Sequence, residues 1–265
     1  MARYVAWYWC VRTAGHGQTS CANPLLTPSP YAHCVLAPPD QPFAYECNGK
    51  LVSGQGSHCL LPSPLPVTLR DEADFVRVGI TFKAGAHWAL FGDSSRAARV
   101  PVVIEMALLQ ALDVDALLAD SDWPQKIAEH LDRSLMPWLE RPRRHHYLSI
   151  VLGAVDLIGE TFGAVDKSQV SARLNCSVRT LERAMLKVLG ITFRQYRSMI
   201  RMQGLVEHMQ LQQQACNWTD MAFQFGFSDQ PHMIRRMRGF VGCTPTDYQV
   251  RRHLVEDVYG HFSDR

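Results

Sequence analysis

Arginine carries most of the chemistry legible in this chain. It supplies 22 of the 27 basic residues. Its planar fork of donors suits paired hydrogen bonds to a phosphate, or to the O6 and N7 edge of guanine. Arg183 and Arg235 lie 52 residues apart, each within a run of similar residue types, because GITFRQY at 190–196 matches GCTPTDY at 242–248 at the same offset. Upstream the offset is 51, pairing Ser177 with Ser228, Leu174 with Phe225 and Ser171 with Ala222. Around Arg183 stand Arg179, Thr180, Glu182 and Lys187. Around Arg235 stand Gln230, Ile234, Arg236 and Arg238. A glutamate such as Glu182 can accept from a cytosine amino group or pair with Arg179, and both readings stay open. Basic runs such as 235–238 reach phosphates when they lie on a helix that enters a groove.

Charge supports the same chemistry. The formal net charge is +2, but residues 1–140 carry −4 and residues 141–265 carry +6, while 167–252 alone carry +8. A basic C-terminal part behind an acidic N-terminal part predicts that the former meets a polyanion. No P-loop, GxSxG, HExxH or dinucleotide fingerprint occurs, so no catalytic constellation is assembled and no cofactor is expected.

Such side chains must be presented by helices. The first repeat predicts a short helix over Ser168–Leu174, a turn at 175–177, and a second helix over Val178–Leu189 with Ser177 as N-cap and Gly190 as stop. Leu181, Met185, Leu186 and Leu189 are expected to pack inward. The second repeat predicts a helix over Trp218–Phe225, a turn at 226–228, and a helix over Asp229–Val241 that packs through Met233, Met237 and Phe240. A small residue, Ser171 or Ala222, lets the paired helices approach closely. Together these features describe two helix-turn-helix units. Phe193–Gln212 between them predicts one helix of roughly 30 Å at 1.5 Å per residue. That is close to the pitch of about 34 Å separating successive major grooves.

These residues carry a resemblance. SVRTLERAMLKVLGITFRQY and MAFQFGFSDQPHMIRRMRGFVGCTPTDY resemble the DNA-binding domain of the AraC/XylS family of bacterial transcription regulators, over about 40% of the chain. More weakly, VGITFKAGAHWALFG is similar to the small β-rich sensor domain of one subgroup of these regulators. The resemblance implies a cupin-like β domain, a helical dimerisation segment and seven DNA-binding helices. It also implies that Arg179, Glu182 and Arg183 on one helix, and Gln230, Ile234 and Arg235 on the other, face DNA. Pro231, in the first turn, departs from the family pattern and removes one donor. Met185, Met233 and Met237 stand where Phe or Leu is usual, which predicts a softer core.

The N-terminal part reads as antiparallel β, with strands at Ala2–Val11, Tyr31–Ala37, Phe43–Cys47 and Phe75–Phe82 between turn signals such as Asn48-Gly49. Val102–Leu118 and Trp123–Leu139 carry helical periodicity. Trp7, Trp9, Tyr31, Tyr45 and Trp88 are the candidates to line an effector pocket. Five of the eight cysteines fall in the first 59 residues. Cys21, Cys34, Cys59 and His58 are weak candidates for metal ligation, because neighbours on a strand point to opposite faces and each adjacent His–Cys pair offers only one ligand to a common site.

The expected fold class is α+β in two domains. Residues 1–100 form the β-rich domain, 101–140 a helical segment suited to dimerisation, 141–147 a linker, 148–252 the double helix-turn-helix domain and 253–265 a tail. The expected function is sequence-specific regulation of transcription in the cytoplasm, in response to a signal reaching the N-terminal domain. The implied partners are double-stranded DNA, a small-molecule effector, a second copy of the chain and, for an activator, RNA polymerase. No segment approaches 18 uncharged apolar residues, so no transmembrane helix and no membrane partner are expected. The alternatives are a thiol- or metal-responsive regulator using the N-terminal Cys and His, and a cupin-type metalloenzyme with a DNA-binding tail.

Overall fold

The computed structural model describes residues 3–12, 25–70, 75–92, 103–104, 114, 125–140, 145–211 and 217–251. Its first half is built from two antiparallel sheets. Strands β1 (Val5–Arg12), β2 (Leu25–Leu26), β3 (Ala32–Leu36), β4 (Pro42–Cys47), β5 (Lys50–Gln55), β6 (His58–Leu60), β7 (Val67–Leu69) and β8 (Val76–Phe82) precede a short helix α1 (Ala86–Phe91) and strand β9 (Val103–Ile104). One sheet runs β1-β8-β3-β6-β9 and the other β2-β7-β4-β5. The Asn48-Gly49 signal closes the β4–β5 hairpin. Both residues take positive φ, 49° and 71°, as a two-residue hairpin turn demands.

Side-chain alternation assigns the two faces of the five-stranded sheet to different cores. Trp9, Val35 and Leu60 meet Leu26, Phe43, Tyr45, Val67 and Leu69 between the sheets. Cys34, Leu36, Cys59, Val78, Ile80 and Phe82 point the other way, under α1 and helix α2 (Gln125–Leu139), which contributes Ile127, Leu131 and Leu135. The Tyr8 hydroxyl donates to Asp132 Oδ1 at 2.5 Å and pins α2 to the sheet. Burial, reinforced by that carboxylate, pushes the Tyr8 phenol well above its ordinary range. Trp9 and Gly79 are register partners on β1 and β8. A Cβ on Gly79 would fall 1.9 Å from the Trp9 ring, so this close approach requires glycine.

The second half is helical: α3 (His146–Glu160), α4 (Lys167–Arg173), α5 (Val178–Leu189), α6 (Phe193–Leu211), α7 (Trp218–Gln224), α8 (Gln230–Val241) and α9 (Pro245–Arg251). Among the described residues these number seven, the count that the resemblance implies. They share one core, from Val151 and Ala154 of α3 through Leu181 and Met185 of α5 to Met233 and Met237 of α8. Four of its buried side chains on α6 and α7, Met199, Met202, Met209 and Met221, are also methionine, which extends the adaptable packing expected from 185, 233 and 237.

Three expectations need correction, and one element has no expectation behind it. Of the helix expected over Val102–Leu118, residues 103–104 instead form a strand paired with Cys59 and Leu60, Val114 is helical, and the remainder lies outside the described residues. A short β-branched run fits a sheet edge as well as a helix, and periodicity cannot separate the two. Helix α1 has no counterpart in the sequence reading, because six residues are too few to show a period. Leu186 is 40% exposed, and Ala184 and Val188 take its place in the core. At 3.6 residues per turn Leu186 lies about 140° around the helix from Leu181. Finally, Trp88 does not join the other four aromatics. It packs with Ala84 into the core of the helical half, its ring 5.6 Å from that of His145. A Cβ on Gly85 would meet Leu148, Leu152 and Val188, and one on Gly242 would come within 2.9 Å of Leu25 Cδ2, so these neighbours sit close to both turns. Thus the β half contacts both helix-turn-helix units.

Candidate nucleic-acid interface

The first unit begins with a capping box. Asp166 accepts from the backbone N–H of Ser168 and Gln169 at 2.8 and 2.9 Å, and Gln169 Oε1 accepts from Asp166 N at 3.1 Å. Helix α4 then ends in a turn with Asn175 at φ 49°. Ser177 Oγ opens α5 by accepting from Thr180 N at 3.0 Å, and Gly190, at φ 72°, closes it. These caps satisfy backbone groups that every helix end leaves orphaned. In the second unit Asn217 caps α7, Asp229 caps α8 by accepting from His232 N at 2.6 Å, and Gly242 closes α8 at φ 78°. The bonds from His232 N and Ser228 Oγ hold the Asp229 carboxyl below the usual carboxylate range.

The two units repeat one another bond by bond. Leu174 N donates to Val170 O, and Phe225 N to Met221 O. Cys176 N donates to Ser171 O, and Phe227 N to Ala222 O. All four positions obey the offset of 51. The stop bonds Gly190 N to Leu186 O and Gly242 N to Arg238 O obey 52, as do Tyr196 N to Thr192 O and Tyr248 N to Thr244 O. The change of offset therefore has a physical location: the second unit carries one extra residue in its turn. Ser171 and Ala222 are both buried, where the paired helices close on one another.

This construction decides which side chains can reach outward. On α5, burial of Leu181, Ala184, Met185, Val188 and Leu189 leaves Arg179, Arg183 and Lys187 exposed as a stripe at i, i+4 and i+8, with Thr180 partly covered beside it. On α8, burial of Met233, Met237 and Phe240 leaves Arg235, Arg236 and Arg238 exposed, with Gln230 and Ile234 partly covered. Gln230 is oriented by the Thr219 hydroxyl, 3.2 Å from its Oε1. Glu182 is turned aside. One carboxylate oxygen lies 3.4 Å from Phe193 N, at the start of α6, and the other 3.8 Å from Lys167 Nζ. This geometry ties Glu182 to the fold and not to Arg179.

Trp9 and Tyr45 are buried between the sheets, Trp7 packs against that same inter-sheet core, and Tyr31 meets Trp7 edge-on at 5.5 Å, so four of the five aromatic candidates are grouped. His58 donates to or accepts from the Tyr45 hydroxyl at 2.6 Å on the inner face, while its neighbour Cys59 faces the helices opposite Cys34. Cys21 lies outside the described residues, as do residues 141–144 of the linker and the tail from 253. No group of three or more His, Cys, Asp or Glu among the described residues could hold a metal ion. Burial, and then its hydrogen bond with Cys59, pushes the Cys34 thiol well above its ordinary value. A protonated, enclosed thiol is a poor nucleophile, and this disfavours a thiol switch at that pair. Sequence reasoning passed over Arg201. It lies on α6, outside both repeats, where no repeat comparison can single it out.

The Helix-turn-helix domain family matches residues 170–251, the span of both units. Residues 170–251 are an AraC-type helix-turn-helix domain. Two solved structures are similar over nearly the whole chain. ToxT from Vibrio cholerae in its P21 crystal form has a TM-score of 0.51 at 8% identity, covering 92% of this chain and 97% of that one. ToxT from Vibrio cholerae O395 has a TM-score of 0.50 at 10% identity, covering 94% and 98%. At such identity the likeness shows the fold alone, a β-rich half followed by a helical half. No match was found among curated proteins. No helix among the described residues is long and apolar enough to cross a membrane.

Proposed function

We propose that the chain is a sequence-specific regulator of transcription that reads double-stranded DNA with both units of its AraC-type domain. One observation carries the reading: two units with equivalent caps each bury the apolar face of their second helix and leave arginines on the opposite face. Helix α6 has 19 residues, so at 1.5 Å each it holds the units roughly 28 Å apart, compatible with neighbouring turns of one duplex. Arg179, Thr180, Arg183 and Lys187 from α5, and Gln230, Ile234, Arg235, Arg236 and Arg238 from α8, are the proposed contacts. Arg183 and Arg235 read bases, and the flanking cations bind phosphates.

The β half serves as the input. Its contacts at Trp88, Gly85 and Leu25 reach both units, so a small molecule or a second copy that shifts this half also biases the DNA-binding arrangement. The work is binding in the cytoplasm, without catalysis, and RNA polymerase is the further partner if the protein activates. The test is a titration of full-length protein with duplex DNA at several salt concentrations. Affinity is expected to fall by about 0.9 decade per decade of salt for each phosphate neutralised, and several phosphates give a steep slope. Affinity independent of salt would refute the reading.

A further inference from the structure

Arg201 projects from the middle of α6 and joins two turns that no other described bond connects to one residue. Its Nη1 donates to Gly226 O at 2.7 Å and its Nη2 to Gly163 O at 2.7 Å. Gly226 lies in the turn of the second unit, just ahead of α8. Gly163 lies in the turn that leads from α3 into the first unit. The guanidinium also sits 5.7 Å from the centroid of the Phe227 ring. Both glycines have positive φ, 67° and 72°, a conformation that turns their carbonyls without strain. A Cβ on Gly163 would come within 2.7 Å of Arg197 O, and one on Gly226 within 3.4 Å of the Arg201 guanidinium. The two turns are therefore seated directly on α6. Arg197 adds a bond to Val165 O at 3.2 Å on the same approach to the first unit.

The chemistry suits a strut. A planar fork can serve two fixed carbonyls at once, whereas a lysine ammonium cannot reproduce that geometry. Burial, and then the charges of Arg197 and Arg236, push the Arg201 guanidinium below its ordinary value. The residue is thus held where its charge is opposed, turned inward to carbonyls while Arg235 and Arg236 stand outside. We propose that Arg201 is a positioning residue: it sets the distance and angle between the two recognition helices, and hence the spacing of DNA elements that the protein selects. This rests on the DNA-reading function proposed above.

The test is selection from a randomised duplex library by full-length wild type, Arg201→Lys and Arg201→Met, with circular dichroism and thermal unfolding of each protein. Wild type is expected to select two half-elements at one spacing. The variants are expected to select the same half-elements over a range of spacings. Inserting one base pair into the selected site should weaken wild type by about tenfold or more, because linked readers lose their mutual reinforcement when geometry forbids joint engagement. The same insertion should weaken the folded variants by less than about threefold. Variants that keep the wild-type spacing, whatever their melting temperature, would overturn the proposal. So would unfolding of both variants, which would make Arg201 a general stabiliser. A wild type that binds no DNA would instead sink the functional reading, and this inference with it.

Discussion

Arg183 stands on the outward stripe of α5 with Arg179 and Lys187 one turn to either side, and Arg235 stands beside Arg236 on the outer face of α8. A base-reading arginine and a phosphate-binding one differ in what their loss does to selectivity. Arg183→Ala and Arg235→Ala are each expected to weaken binding to the preferred duplex by about 1–3 kcal/mol and to relax base choice at a few adjacent positions. Titration against duplexes varied one base pair at a time measures both effects. Unchanged selectivity would place these residues on the backbone. A second residue-scale prediction concerns Gly79, whose missing side chain is filled by the Trp9 ring. Gly79→Ala should destabilise the β half by about 1–3 kcal/mol through overpacking, read as a lower thermal midpoint. An unaltered midpoint would show that Trp9 can move aside. The outward arginines were legible from the repeat. The contacts of Glu182 and Arg201 were not, because they depend on where α6 places its neighbours.

Elements that announce themselves by caps and period were readable, while elements defined only by their partners were not. Helices α5 and α8 carry a serine or aspartate at the start, an apolar stripe and a terminal glycine, and their boundaries follow from those residues. Strands β3, β4 and β8 likewise alternate or end in turn residues. Strands β6 and β9, of three and two residues, exist only because a neighbouring strand pairs with them. The sheets also predict a pH response. His33 and His58 face the inner layer, where His33 Nδ1 lies 3.0 Å from Thr81 Oγ1 and His58 Nδ1 2.9 Å from Gly56 O. His87 is buried on α1. Burial lowers all three from 6.5 to about 4. Such groups are neutral in the folded state and bind protons more readily when unfolded. Their contribution is therefore fully present above pH 6.5 and is lost as pH falls towards 4. All three lie in the β half, so near-ultraviolet circular dichroism of Trp7 and Trp9 should change between pH 6.5 and 4 before the helical signal of the AraC-type domain falls. Simultaneous loss of both signals would contradict this order.

At the scale of the molecule, the two-domain α+β plan, the antiparallel N-terminal sheets and the helical C-terminal part were all legible, because composition, period and charge change together along the chain. The contact between the halves was not. Gly85, Trp88 and Leu25 look unexceptional in sequence, and only the packing reveals that they touch the faces of α3 and α5 and the end of α8. That arrangement leans the β half on both helix-turn-helix units, as the proposed input role requires. The central claim is that both units read DNA together. The most direct measurement is selection of bound sequences from random duplex DNA by the full-length protein. The account predicts a motif of two half-elements whose centres lie about one helical turn, roughly 10 base pairs, apart. A single short element, or no enrichment at all, would contradict it.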